Sequence, residues 1–235
     1  MDRRIAVLLC LLASFILAPF PRASAQTIQC TAIWGDSTAL LSVPDLKNCP
    51  IANWGRAGST SSLWLSPYGT SPTYVDFINT YNSSRKLPIS TVVLMIGRND
   101  ITQKIPTATT VANISVMYAK AKASGYHFIL TTVVPNQKAP NLALTATYTA
   151  TRDKTIALNA AILQFAQDNG IPIVDLYSVL AGADGFAIPE NMSDDIHQSG
   201  LGSYRIVQSL LPAIQYVQNN SDTFILFGKA TQCVQ

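Results

Sequence analysis

The chain has 235 residues, 48% of them hydrophobic and 12% charged, with 16 Lys and Arg against 13 Asp and Glu. A net charge of +3, with no cluster of basic residues, argues against nucleic acid as a partner. The length suits one domain that buries a full core.

The N-terminus reads as an export signal. Asp2, Arg3 and Arg4 precede an apolar run from Ile5 to about Phe20, and Ala23-Ser24-Ala25 supplies a small-x-small cleavage site. The run is short for a membrane span and is interrupted by Pro19, Pro21 and Arg22, so no stable membrane insertion is expected after cleavage. Residues 1–25 are therefore taken as a signal peptide and 26–235 as a single mature domain, secreted or periplasmic. Without residues 1–25 the basic and acidic counts fall to 13 and 12, a net +1 that suits neutral or small substrates. Cys10 lies inside the apolar run without the small residues of a lipidation site. Cys30, Cys49 and Cys233 remain, an odd number. Either Cys30–Cys49 or Cys30–Cys233 could form in an oxidising compartment, and sequence alone leaves both open.

In the mature chain, Ile28–Trp34 predicts a first strand and Thr38 to about Val43 a short helix ended by Pro44. Pro50–Trp54 predicts a second strand, running into Gly55-Arg56-Ala57-Gly58, where glycines let the backbone approach a ligand. A Ser/Thr/Gly/Pro loop carrying Trp64, Leu65 and Tyr68 leads to a helix from Thr73 to about Tyr81. The continuous apolar run Thr91–Ile96 has the look of a central strand covered on both faces.

Val111, Ile114, Met117, Tyr118 and Ala121 recur at helical spacing within Thr109–Ser124, and Gly125 follows as a C-cap. A fourth strand spans Phe128–Val134. Pro135–Thr151 has little charge and no clear period, which predicts a functional loop or lid. Arg152–Asn169 predicts a helix, Ile171–Leu176 a fifth strand and Leu201–Val217 a last helix. Phe224-Ile225-Leu226-Phe227 offers an extra edge strand or a covering segment. Strands alternating with helices imply a parallel sheet with helices on both faces, and ligands then bind beyond the carboxyl ends of the strands.

Three segments that follow predicted strands carry reactive or donor groups: Trp34-Gly35-Asp36-Ser37, Gly55 to Thr60, and Gly97-Arg98-Asn99-Asp100. Ser37, at a strand-to-helix turn, lies beside free N–H groups at a helix start. Gly-Asp-Ser alone is also an ordinary turn and N-cap sequence. His197 is the natural base, because the other mature histidine, His127, opens an apolar strand and reads as structural. Asp194, three residues before His197, can reach one ring nitrogen, with Asp195 as competitor. Neither a Cys/His cluster nor a dinucleotide or Walker-type loop is present, so no metal and no cofactor is expected.

In order, the blocks Gly35-Asp36-Ser37, Asn53-x-Gly55-x-x-Gly58-x-Thr60, Gly97-x-Asn99-Asp100 and Asp194-x-x-His197 resemble the SGNH, or GDSL-type, hydrolases across nearly all of the mature chain. The resemblance implies a three-layer α/β/α, flavodoxin-like fold with a five-stranded parallel sheet of order 2-1-3-4-5. It implies Ser37 as nucleophile, His197 as general base and Asp194 as its partner. The oxyanion hole would consist of the Ser37 and Gly58 N–H groups and the Asn99 side chain. Thr38 and Gln198 depart from the residues common at their positions, and neither carries the chemistry. Arg98, Trp64 and Trp34 are candidate substrate contacts, with Arg98 equally readable as a solvated side chain.

The activity expected is that of a monomeric serine esterase acting on O-acyl groups of carbohydrates or on small esters. A lysophospholipase or thioesterase would need an apolar channel, for which Trp64, Leu65, Leu142 and Leu144 are available. A non-catalytic carbohydrate-binding module is the remaining reading.

Overall fold

The structure is a computed structural model that describes residues 30–43 and 51–228. Residues 1–25, which the sequence reading takes as a signal peptide, lie outside those residues, as do Cys49 and Cys233 and with them the choice of disulfide.

Among the described residues, six parallel strands form one sheet in the order β2-β1-β3-β4-β5-β6, with β1 at Cys30–Gly35, β2 at Ile51–Asn53, β3 at Ile89–Met95, β4 at His127–Thr131, β5 at Ile173–Val174 and β6 at Leu226–Phe227. The expected order is therefore present with one strand more. The Phe224–Phe227 segment supplies it: Ile173 pairs with Leu226, extending the sheet beyond β5. In the centre, Ile33 is in register with Val93 and Val93 with Ile129.

Period-two alternation divides the strand residues between two cores. Ala32, Trp34, Val92, Leu94, Phe128, Leu130 and Ile173 point into one. Helices α3 (Tyr74–Ser84), α5 (Thr107–Ala123) and α6 (Thr145–Asp168) cover it with Val75, Ile78, Ile114, Met117, Ala121, Leu158 and Ile162. Ile33, Val93, Met95, Ile129 and Val174 point the other way, against α1 (Ser37–Ser42), α7 (Leu176–Leu180) and α8 (Gly200–Asn219) through Ala39, Leu176, Ile206, Leu210 and Val217. Both faces of the central strands are thus covered, which is why Val92 to Ile96 reads as an unbroken apolar run.

Two short helices, α2 (Ser61–Trp64) and α4 (Arg98–Thr102), form where the sequence predicts none, the first of them inside the Ser/Thr/Gly/Pro loop. Pro135–Thr151 is not the open loop that its composition predicts. A 3-10 turn spans Leu142–Leu144, and α6 begins at Thr145, two turns before the expected start at Arg152. The cause is local: Asn141 Oδ1 caps the turn by accepting from Leu144 N, and threonines without a periodic apolar face then open a helix that sequence pattern does not reveal.

Candidate active site

Gly35 ends β1 with its Cα hydrogen against β3: a Cβ there would sit 2.1 Å from the Met95 carbonyl oxygen. Close approach, more than turn freedom, is what requires this glycine. Asp36 follows as the N-cap of α1, its buried carboxylate accepting from Thr38 N at 2.9 Å. Burial pushes its pKa up to about 6, against the lowering effect of the Thr38 hydrogen bonds. Ser37 is then the first residue of α1, at the carboxyl edge of the sheet.

The loop after β2 is fastened to this turn. Asn53 Nδ2 donates to the Ala39 and Val43 carbonyls at 2.8 and 2.6 Å, closing the C-terminal end of α1, while its Oδ1 accepts from Gly55 N. Arg56 N donates to Gly35 O at 2.9 Å. Gly58 sits at φ +72°, exposed, in the left-handed region that favours glycine.

Asn99, in the first turn of α4, donates through Nδ2 to Ser59 O at 3.0 Å, which leaves its second amide hydrogen available. Asp100 holds the same loop from beneath: its buried carboxylate accepts from Ser61 N at 2.9 Å, Thr110 Oγ1 at 3.1 Å and the Ser61 hydroxyl. Among the described residues, neither Ser37 N nor Gly58 N donates to another protein group.

His197 lies 160 positions from Ser37 in sequence, and its Nε2 is 3.1 Å from Ser37 Oγ. Its Nδ1 is 2.8 Å from Asp194 Oδ2, and Asp194 Oδ1 accepts from the Ile196 and His197 N–H groups at 2.8 and 2.7 Å. Three hydrogen bonds to one carboxylate, that of the His197 ring first among them, hold the Asp194 pKa down to about 2. Asp195 takes a different partner, the Tyr148 hydroxyl, at 2.5 Å. Between the two acids, geometry selects Asp194 for the imidazole. His127 pairs with Asp222 at 2.7 Å, far from this edge in the pairing scheme, in keeping with its structural reading.

The structure corrects the three candidate substrate contacts. Trp34 and Trp64 are fully buried, with ring centroids 5.9 Å apart, because β1 is a central strand and its Trp34 side points into the first core. Arg98 is 8% exposed, so it is neither solvated nor open to a substrate. It borders a cavity of about 10 Å³, room for one water, together with Asp36, Thr38 and Thr132. Burial lowers the Arg98 pKa, against the opposing charges of Asp36, Tyr148 and Asp195. Asn53 and Asp100 are letters of the motif blocks whereas Ser59 is not, and the supporting roles of all three depend on contacts across the fold.

A hydroxyl, an imidazole and a carboxylate thus line up at the carboxyl edge of a parallel α/β sheet, where such folds bind their ligands. The chain belongs to the GDSL-like lipase/acylhydrolase family, whose model matches residues 35–205. Among solved structures, it is similar to a GDSL-like lipase from Bacteroides thetaiotaomicron, with 23% identity over 81% of this chain and 89% of the other, at a TM-score of 0.60. It is also similar to a carbohydrate acetylesterase from Sinorhizobium meliloti, with 15% identity over 80% of this chain and 99% of the other, at a TM-score of 0.57. No curated protein matches the chain.

Proposed function

We propose that the protein is a serine esterase that hydrolyses carboxylic ester bonds, with O-acyl groups of carbohydrates or small esters as its substrates. The observation that carries this reading is the line Ser37 Oγ–His197 Nε2–His197 Nδ1–Asp194 Oδ2, at 3.1 and 2.8 Å.

In this reading Ser37 Oγ attacks the ester carbonyl carbon while its proton passes to His197 Nε2. Charge on the former carbonyl oxygen meets the Ser37 and Gly58 N–H groups and the second amide hydrogen of Asn99. Collapse breaks the bond to the alcohol, which leaves with the proton from His197, and the acyl group stays on Ser37. Water then attacks the acyl carbon, giving up a proton to His197; the acid departs and Ser37 Oγ is reprotonated. Asp194, ionised at any pH above about 2, fixes the imidazole tautomer and offsets its positive charge in both halves.

The carbohydrate side of the proposal draws on the acetylesterase likeness and on the near-neutral mature charge. Export as a monomer after removal of residues 1–25 belongs to the same proposal and draws on the basic, apolar and Ala-Ser-Ala segments at the N-terminus. No helix among the described residues is long and apolar enough to cross a membrane. A second reading, an enzyme for longer acyl chains, is favoured by one feature. Leu142 is 92% exposed on the segment whose Gln137 N and Tyr148 hydroxyl both reach Asp195 beside the site.

Hydrolysis of p-nitrophenyl acetate by wild type and its loss in Ser37→Ala test the proposal; a Ser37→Ala protein at wild-type rate would refute it. A p-nitrophenyl ester series from acetate to laurate separates the two substrate readings, with the short end preferred under the first.

A further inference from the structure

Gln198 follows His197 in the chain and is 92% buried at the base of the turn that carries His197 and Asp194. Met192 and Gln198 form an antiparallel bridge, and Ser193 N donates to His197 O at 2.9 Å, so residues 192–198 make a closed turn. The two ends of the Gln198 amide go to different halves of the site. Its Oε1 accepts from the buried Ser42 hydroxyl at 3.2 Å, at the last residue of α1, the helix that Ser37 opens. Its Nε2 donates to Ile196 O at 3.3 Å.

That carbonyl belongs to the Ile196–His197 peptide, whose N–H donates to Asp194 Oδ1 at 2.7 Å. One peptide plane is therefore fixed from both sides, by Asp194 on its N–H and by Gln198 on its C=O. Resting on the reading of Ser37, His197 and Asp194 as a triad, we infer that Gln198 is a positioning residue: its amide ties the helix bearing the nucleophile to the loop bearing the base. It touches no reacting atom. Its effect is on the Ser37–His197 spacing, which must stay near 3 Å for proton transfer and on which a misplacement on the ångström scale costs turnover.

An apolar side chain of similar length separates this role from simple packing. Gln198→Met fills the same space beside Met192 Sδ, which lies 4.0 Å from Nε2, but makes neither hydrogen bond. With p-nitrophenyl acetate, kcat of Gln198→Met should fall on the order of tenfold with KM within about twofold. The downfield proton resonance of the His197 Nδ1–H bond to Asp194 should move upfield or exchange faster, a change that packing alone would not produce. Ser42→Ala, which removes only the tie to α1, should shift kcat in the same direction by a smaller factor.

Wild-type kcat and an unshifted resonance in folded Gln198→Met would overturn the inference. If Gln198→Met does not fold, wild-type kcat in Ser42→Ala overturns it instead. Ser37→Ala run alongside keeps the two levels apart. Activity surviving in Ser37→Ala would strike the triad reading itself, whereas its loss combined with a wild-type Gln198→Met would strike only the role of Gln198.

Discussion

Asp36 should destabilise the folded protein at neutral pH, and Asp36→Asn should relieve the cost. The carboxyl is fully buried at the turn that leads into Ser37, with its pKa raised from 3.8 to about 6 chiefly by loss of solvent. The folded state thus holds this proton more tightly than the unfolded chain. The stability it contributes is fully present below pH 3.8 and is lost as pH rises to about 6. At about 1.4 kcal/mol per pKa unit the whole effect is roughly 3 kcal/mol, an upper figure that relaxation and water entry around Arg98 would reduce. Asparagine keeps an acceptor for Thr38 N and so retains the cap of α1. Denaturant unfolding of both proteins between pH 4 and 7.5 measures the difference directly, since all other titrating groups are shared. The variant should gain 2 to 3 kcal/mol on wild type, roughly, across that range. Parallel stability curves would refute the claim that burial governs Asp36.

Other substitutions address the remaining parts of the site. Asn99→Ala should lower kcat for p-nitrophenyl acetate on the order of a hundredfold, about 3 kcal/mol, with a folded protein by circular dichroism. Unchanged turnover would remove Asn99 from the oxyanion hole. In His197→Ala the ring hydrogen bond that does most to lower the Asp194 pKa is gone, so carboxyl titration by NMR should find Asp194 well above the wild-type value of about 2; no movement would contradict the pairing. Gly35→Ala should destabilise the fold by roughly 3 kcal/mol, because the new methyl would meet the Met95 backbone oxygen, which has no free rotor to yield. A thermal midpoint within a degree or two of wild type would show that the strand end shifts cheaply.

Much of the fold is legible in the residues because the central strands obey simple patterns. Val92 to Met95 is apolar on both faces, and the strand and helix segments alternate, which is enough to specify a parallel sheet with two covering layers. What escaped sequence reading is short or aperiodic: α2 and α4 are a turn or so long, and the start of α6 has threonines where an apolar stripe would announce a helix. In the site, Ser37, Asn99, Asp194 and His197 stand in blocks whose chemistry is local and recognisable. Trp34, Trp64 and Arg98 could not be placed from sequence, since their burial depends on what the rest of the chain lays over them. Gln198 is the same case in reverse. Its letter suggests nothing, and its partners, Ser42 and Ile196, emerge only once α1 and the His197 turn are side by side.

The proposed mechanism stands or falls on the nucleophile, and covalent labelling reaches it most directly. The protein would be treated with a fluorophosphonate and examined by intact mass and peptide mapping, with p-nitrophenyl acetate hydrolysis followed in parallel. A single adduct on the peptide containing Ser37, growing as activity is lost and absent from Ser37→Ala, is the predicted result. Full inactivation with the adduct on another residue, or full activity with Ser37 modified, would contradict it.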